Sequence, residues 1–93
     1  MRVRYAPAAR TELDEVFLYI NERNPEAAQG VKLFIQKVIE GIGTFPYLGR
    51  ESDRLSGLRV LPLGRFDYMI FYLVRDKEII IVHVRHTKRQ SWK

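Results

Sequence analysis

The first half of the chain carries two stretches in which apolar residues recur every three or four positions, the spacing of one helical face. Asn24 and Pro25 separate the two stretches. They predict the start of a second helix, because asparagine is a good N-cap and proline fits the first position of a helix. So short a break predicts an antiparallel helical hairpin over residues 8–44 that shares one apolar face. The predicted core positions of this hairpin are Leu13, Phe17, Ile20, Val31, Ile35, Val38 and Ile42.

The remaining segments alternate between apolar and polar residues, or run apolar on both sides, and both patterns predict strands. The predicted strands cover residues 2–6, 58–62, 67–74 and 79–85. The hairpin needs one sheet face to cover its apolar stripe, so the other face is expected to stay open. Each turn reverses the chain, and the first strand is therefore expected to pair antiparallel with the last. The prediction is an α+β, two-layer domain over residues 1–93, in the order β-α-α-β-β-β with an antiparallel sheet.

The last predicted strand is apolar except for His83 and Arg85, and alternation assigns its side chains to two faces. We predict that Ile80, Val82 and Val84 point toward the helices. The open face then receives Ile79, Ile81, His83 and Arg85.

The same alternation assigns Arg59 to the open face, together with Arg2 and Arg4 of the first strand. Glu12, Asp14 and Glu15 are assigned to the solvent side of the first helix. Each arginine also has an ordinary interpretation as a solvated strand residue. The orientation of the central strand stays undecided at this point, because both of its faces are apolar: Tyr68, Ile70 and Tyr72 fit either side.

The composition indicates the charge of the partner and whether a metal or membrane is involved. A net charge of +5 with a pI near 9.8 favours an anionic partner, either nucleic acid or an acidic protein segment. The chain has no cysteine, and two histidines alone make a poor metal site, so neither a metal nor another cofactor is expected. The sequence contains no apolar run of the ~20 residues that span a membrane and no signal peptide at its start, which favours a cytoplasmic protein.

Six short motifs occur in a fixed order along nearly the whole chain. They are Tyr5-x-Pro7-x-Ala9, Asn24-Pro25-x-Ala27-Ala28, Pro46-x-x-Gly49-Arg50, Gly57-x-Arg59, Tyr68-x-Ile70-x-Tyr72 and Ile79-x-Ile81-x-x-Val84-x-His86-x-x-Arg89. In this order and spacing the chain resembles the RelE/ParE superfamily of type II toxin–antitoxin toxins. The resemblance implies the β-α-α-β-β-β layout, a cognate antitoxin, growth arrest by the free toxin and a role in plasmid stabilization.

The superfamily has two activities, and each implies different chemistry. RelE-like members are metal-independent nucleases that cut mRNA on the ribosome, which requires a base, an acid and cations around the scissile phosphate. If this chain is such a nuclease, its catalytic candidates are Arg59, His83, Arg85 and His86. No residue is assigned as the base, because Glu51 and Asp53 are not aimed at the open face by their spacing. ParE-like members instead bind and poison DNA gyrase.

The chain lacks the lysine-rich strand and terminal tyrosine of the RelE nucleases, and its motifs are more similar to those of ParE. The prediction is therefore a ParE-like toxin that poisons DNA gyrase and is neutralised by its antitoxin. Two alternatives remain: a RelE-like nuclease acting on ribosome-bound mRNA, and a non-toxic basic binding module of the same fold. Residues after Arg85 are expected to leave the sheet as a basic tail. The predicted target-binding residues are Arg59, Arg65, Arg85, His86, Arg89 and Trp92.

Overall fold

A computed structural model describes residues 1–64 and 66–87 of the chain. Two helices, α1 (Pro7–Arg23) and α2 (Pro25–Thr44), pack on one face of a five-stranded sheet. The strands are β1 (Arg2–Tyr5), β2 (Arg50–Glu51), β3 (Leu58–Pro62), β4 (Tyr68–Arg75) and β5 (Glu78–His86), in the spatial order β1-β5-β4-β3-β2. The α+β class and the helical hairpin on one face of the sheet are confirmed.

The turn between the helices is a single residue, as the asparagine–proline pair predicts. The backbone N–H of Asn24 donates to the carbonyl of Ile20 at 2.7 Å and closes α1. Its side-chain oxygen accepts a hydrogen bond from the Ala27 N–H at 3.3 Å and opens α2. Both helices bury one stripe against the sheet, and the buried residues are Ala9, Leu13 and Val16 of α1 and Val31, Ile35, Ile39, Ile42 and Gly43 of α2. The predicted core residues Phe17, Ile20 and Val38 are partly buried against them.

The sheet is mixed, and the prediction of a wholly antiparallel sheet is therefore wrong. β1 pairs parallel with β5, with Arg2 opposite Glu78, while the other three pairings are antiparallel. The difference comes from β2, a two-residue strand inside the segment predicted to be a loop. This strand adds one reversal of the chain, so that β1 and β5 point in the same direction.

A β-bulge interrupts the pairing of β4 with β5. Tyr72 lies opposite Ile81, but the preceding residue of β4, Phe71, lies opposite His83, which leaves Val82 as the extra residue. A bulge of this kind disrupts the alternation of side chains between the two faces, so the phase of the strand differs on its two sides.

The bulge reverses the predicted orientation of the first half of β5. Ile79 and Ile81 are fully buried in the core beneath the helices. Val82 packs instead in a cluster on the opposite face, and Ile80 pairs with a member of that cluster, Leu73. The assignment of Ile80 and Val82 to the core, and of Ile79 and Ile81 to the open face, is therefore wrong. Val84 lies beyond the bulge and is buried in the main core, as predicted.

The open face of the sheet is also not uniformly polar. The orientation of β4 is now defined, since Tyr68, Ile70 and Tyr72 belong to the helix-side core. On the other face, three buried residues form a second, smaller core with partly buried Met69, Leu73 and Val82 around them: Leu58, Val60 and Phe71. Within residues 1–64 and 66–87, no helix has the length and apolar character needed to cross a membrane.

Candidate functional site

Arg59 lies on the helix side of the sheet, which contradicts its predicted place on the open face. Its pairing partner in β4 is the core residue Tyr72, and its own side chain is only 16% exposed. The guanidinium Nε donates to the carbonyl of Gly49 at 2.8 Å, and Nη1 lies 3.8 Å from the carboxylate of Glu51. The same guanidinium lies 4.9 Å from the ring centroid of Tyr47. Arg59 therefore holds the segment that follows α2. Its side chain lies on the helix side because its neighbours in β3, Leu58 and Val60, point to the opposite face and fill the second core.

Tyr72 and Gly49 complete this attachment. The Tyr72 hydroxyl donates to the carbonyl of Pro46 at 2.8 Å and accepts from the N–H of Gly49 at 2.8 Å. A Cβ on Gly49 would lie 2.8 Å from the carbonyl oxygen of Val60 and 2.9 Å from the Tyr72 hydroxyl, so only glycine fits. We call Gly49, Arg59 and Tyr72 the loop clamp.

A second polar group lies at the opposite edge of the sheet, where β1 has ended and β5 continues. Glu12 of α1 accepts a hydrogen bond from the backbone N–H of Val84 at 2.9 Å. Nδ1 of His83 lies 3.3 Å from both carboxylate oxygens, and Nε of Arg85 lies 3.2 Å from Oε2. Nη2 of Arg85 is 3.3 Å from Nδ1 of His83. We call Glu12, His83 and Arg85 the edge cluster.

Glu12 explains how the edge of β5 is satisfied. The N-terminal segment makes its last hydrogen bond to β5 through the N–H of Ala6, which donates to the carbonyl of Ile81 at 2.9 Å. Beyond Ala6 no strand pairs with this edge of β5 in the described residues, and the Glu12 carboxylate accepts the hydrogen bond of the Val84 N–H instead. The prediction that Glu12 lies on the solvent side of its helix is therefore wrong. The detectable signal is its spacing, because residues 9, 12, 13 and 16 follow the i, i+3, i+4, i+7 pattern of a buried face.

The edge cluster combines a carboxylate, an imidazole and a guanidinium, groups that can transfer protons and contact anions. Its carboxylate is already engaged by groups of its own chain, so the cluster joins α1 to β5. The side chains of Glu12, His83 and Arg85 are 20%, 32% and 27% exposed. Arg85 pairs with Met69 and so lies on the open face, as predicted.

The other predicted site residues are not all brought together. His86 follows Arg85 but packs edge-on against the ring of Tyr68 on the helix side, with 5.1 Å between ring centroids. Arg59 lies in the loop clamp, three strands away from β1 in the sheet order. Arg65, Arg89 and Trp92 lie outside the described residues. Among the residues that are described, no three histidine, aspartate or glutamate side chains are grouped so that they could hold a metal ion.

We expect replacement of Glu12 by alanine to lower the free energy of unfolding by about 1–3 kcal/mol, because the Val84 N–H loses its acceptor and the side chains of His83 and Arg85 lose the carboxylate beside them. Glu12→Gln should lose less, since its amide oxygen can still accept from Val84. Urea unfolding of both variants measures the difference, with Glu15→Ala as the exposed control on the same helix. An alanine variant as stable as the wild type would show that the edge cluster contributes nothing to folding.

Comparison with solved structures identifies the class of fold. The chain is similar to a protein in the structure of the chromosomal ParDE toxin–antitoxin system from P. aeruginosa, with a TM-score of 0.74 and 23% sequence identity. The match covers 95% of this chain and 97% of that one. The arrangement of two helices on a mixed sheet is therefore the fold of that structure.

The family follows from the sequence as a whole. The model of the ParE toxin family of type II toxin–antitoxin systems, parDE, matches residues 3–91. The chain belongs to the ParE toxin family, and the resemblance noted from its motifs is confirmed. It is also 34% identical over 92 residues to Y4kP of Sinorhizobium fredii (strain NBRC 101917 / NGR234), a protein named as a candidate toxin. That match covers 98% of this chain and 92% of the other protein.

Proposed function

We propose that this ParE-family toxin arrests growth by poisoning DNA gyrase and is neutralised by a cognate antitoxin. The observation that carries the proposal is the family match, which extends over residues 3–91 and so covers all of the fold except the first residue of β1. Gyrase as the target implies a cytoplasmic site of action.

The geometry of the nuclease candidates supports a target other than mRNA. A nuclease needs acid and base groups aimed at a substrate together with cations that can reach its phosphate. Arg59 is instead tied to the carbonyl of Gly49, and His83 and Arg85 are tied to Glu12. His86 packs against an aromatic ring of the core. Each of these side chains therefore has a structural contact that a proton donor or acceptor in catalysis would have to give up, whereas the partial exposure of Arg85 still permits contact with a protein surface.

We assign the contact with the target to the end of β5 and the basic segment after it. Arg85 is partly exposed on the open face there, and His86 ends the strand. The predicted contacts Arg65, Arg89 and Trp92 belong to this proposal on the basis of the sequence alone. Arg59 is withdrawn from it, because its side chain lies in the loop clamp.

The test uses the purified full-length protein in two assays, gyrase supercoiling and cleavage of ribosome-bound mRNA. We expect inhibition of supercoiling, intact mRNA, and loss of inhibition when Arg85, Arg89 and Trp92 are replaced together. Lys77→Ala is the control, since Lys77 is an exposed cation at the turn before β5, far from its end. Circular dichroism shows whether each variant is folded.

The outcomes separate the alternatives. Cleavage of mRNA that depends on pH and disappears in folded His86→Ala would favour the RelE-like nuclease. Absence of growth arrest when the protein is expressed alone would favour the non-toxic binding module. Full toxicity in a folded variant lacking residues 86–93 would contradict the assignment of His86, Arg89 and Trp92 to the target contact.

For the antitoxin we propose a largely disordered segment, acidic and apolar, that folds over the basic surface and the helical hairpin. The net charge of +5 and the exposed Arg2 and Arg4 of β1 support an acidic partner. Arg4 already forms an ion pair with Glu78 at 3.0 Å. In the complex a carboxylate of the antitoxin can replace Glu78 as the partner of Arg4.

We expect the association rate of toxin and antitoxin to fall as salt rises, because complementary charges steer the encounter. Screening shortens the range of these charges from about 10 Å at 0.1 M salt to about 3 Å at 1 M. Stopped-flow mixing over this range measures the slope, and Arg2→Ala should reduce it. An association rate that stays constant across this range of salt would show that charge does not steer the encounter.

A further inference from the structure

A pocket of about 280 Å³ lies on the open face of the sheet, beside the short strand β2. Its floor is apolar, because Val60 and Phe71 belong to the second core and Met69 packs against them. Its rim is polar, and the exposed residues in that rim are Arg50, Asp53 and Arg54. The described lining therefore combines two guanidinium groups and one carboxylate with an apolar floor.

The pairing of β2 with β3 explains why Arg50 lies on this face. Arg50 is opposite Val60, and residues that are directly opposite in neighbouring strands share a face of the sheet. The next residue, Glu51, is opposite Arg59 on the helix side, where its carboxylate lies 3.8 Å from Nη1 of Arg59. The carboxylate that follows Arg50 in sequence is thus directed to the other side of the sheet.

The backbone that carries the rest of the rim is held by hydrogen bonds. The N–H of Ser52 donates to the carbonyl of Leu58 at 2.8 Å, and the N–H of Leu58 donates to the carbonyl of Leu55 at 3.0 Å. The N–H of Arg54 donates to the Ser52 hydroxyl oxygen at 3.1 Å. A rim ordered in advance loses less entropy when a partner binds to it.

Arg85 supplies a third cation on the opposite side of the apolar floor. It is opposite Met69 of the floor and is 27% exposed on the open face. Two strands, β3 and β4, separate β2 from β5, so the backbones that carry Arg50 and Arg85 lie roughly 14 Å apart at the usual strand spacing. The apolar floor is therefore bordered by guanidinium groups on both sides.

We propose that this pocket receives an apolar side chain from the surface of DNA gyrase, flanked by carboxylates that pair with Arg50 and Arg54. The apolar side chain covers the floor, and each guanidinium can hold a carboxylate through two parallel hydrogen bonds. The pocket then extends the target contact already assigned to Arg85 across the sheet to β2. This assignment rests on the proposed function, because gyrase is its occupant.

Other occupants fit the pocket less well. The Phe71 ring is 4% exposed and offers no face on which a nucleic-acid base could stack, and a phosphate backbone gains nothing from an apolar floor. A second copy of the toxin carries the same net charge of +5 and is repelled.

The experiment measures the affinity of purified gyrase for the full-length toxin by surface plasmon resonance. Replacing Arg50 and Arg54 together by glutamate should weaken binding roughly tenfold or more and weaken the inhibition of supercoiling in parallel. The matched control replaces Arg75 and Lys77 together by glutamate. Both are exposed cations at the β4–β5 turn, outside the pocket, so the net charge changes by the same amount. The control should lose less than threefold.

Circular dichroism shows that both double variants are folded, as expected for exposed positions. Unchanged gyrase affinity in the Arg50 and Arg54 variant, or an equal loss in the control, would overturn the pocket assignment. Two further results would overturn it by giving the pocket to another partner. One is binding of labelled duplex DNA, without gyrase, that only the Arg50 and Arg54 replacement abolishes. The other is a loss of affinity for the antitoxin that exceeds the loss for gyrase. A wild-type toxin that neither binds nor inhibits gyrase would contradict the proposed function itself.

Discussion

Replacing Ile35 by alanine should lower the free energy of unfolding by about 2–5 kcal/mol, the usual effect of emptying a well-packed site. Ile35 is fully buried in the middle of α2, and it packs in the core shared by both helices and the sheet. Urea unfolding, followed by circular dichroism, measures the change.

Gln36→Ala is the matched control, because Gln36 is the next residue and is exposed. Its expected change is within about 0.5 kcal/mol, as for most surface substitutions. A change below half a kcal/mol at Ile35 would mean that the apolar stripe of α2 does not form the core.

Gly49→Ala should destabilise the protein by about 1–3 kcal/mol or more, the range for forcing atoms into a packed site. The added Cβ would lie 2.8 Å from the carbonyl of Val60 and 3.0 Å from Cε1 of Tyr72. These atoms belong to the backbone of β3 and to a fully buried ring, so neither can move aside easily. We expect the N–H of Gly49 to lose its bond to the Tyr72 hydroxyl as well.

Gly30→Ala is the control for this prediction, because the same change in an open helical position should stabilise the protein. Tyr72→Phe tests the hydrogen bonds of the clamp alone, and it should destabilise by about 1–3 kcal/mol because the buried N–H of Gly49 and the partly buried carbonyl of Pro46 both lose their partner. If Gly49→Ala unfolds at the same urea concentration as the wild type, the clamp does not restrain the segment after α2.

The helical hairpin could be predicted because the residues that determine it lie within the hairpin itself. A cap at Asn24, a proline at the first position of α2 and a repeating apolar stripe all lie within the segment that they organise. The structure uses each of them as expected. The two-residue strand β2 carries no such signal, because its partners lie in β3 and two residues are too few to show a period.

The phase of β5 could not be predicted by alternation, because a bulge depends on the pairing of two strands rather than on one sequence. Counting back from Val84 gives the correct face up to the bulge and the wrong face before it. The prediction for Arg59 is wrong for a related reason. The pattern Leu58-Arg59-Val60 shows that two faces differ, but not which one the helices cover.

The edge cluster shows a third kind of limit. His83 and Arg85 stand out in the sequence, but their acceptor, Glu12, is 71 residues before His83. The spacing of Glu12 within the buried stripe of α1 is visible, and a carboxylate at such a position requires a buried or edge partner. The contact could have been predicted by asking which polar side chains of the last strand lie within reach of this stripe.

The parallel pairing of β1 with β5 also affects how the toxin folds during synthesis. Arg4 and Glu78 are 74 residues apart in sequence, and no turn between the two strands sets their register. Contacts so distant form late, because the chain must close a long loop before they give any stabilisation. The helical hairpin and the β3–β4–β5 meander can form from nearby residues. We expect the first strand made by the ribosome to be the last to join the sheet, so that the chain completes its native form only after nearly all of it has been synthesised.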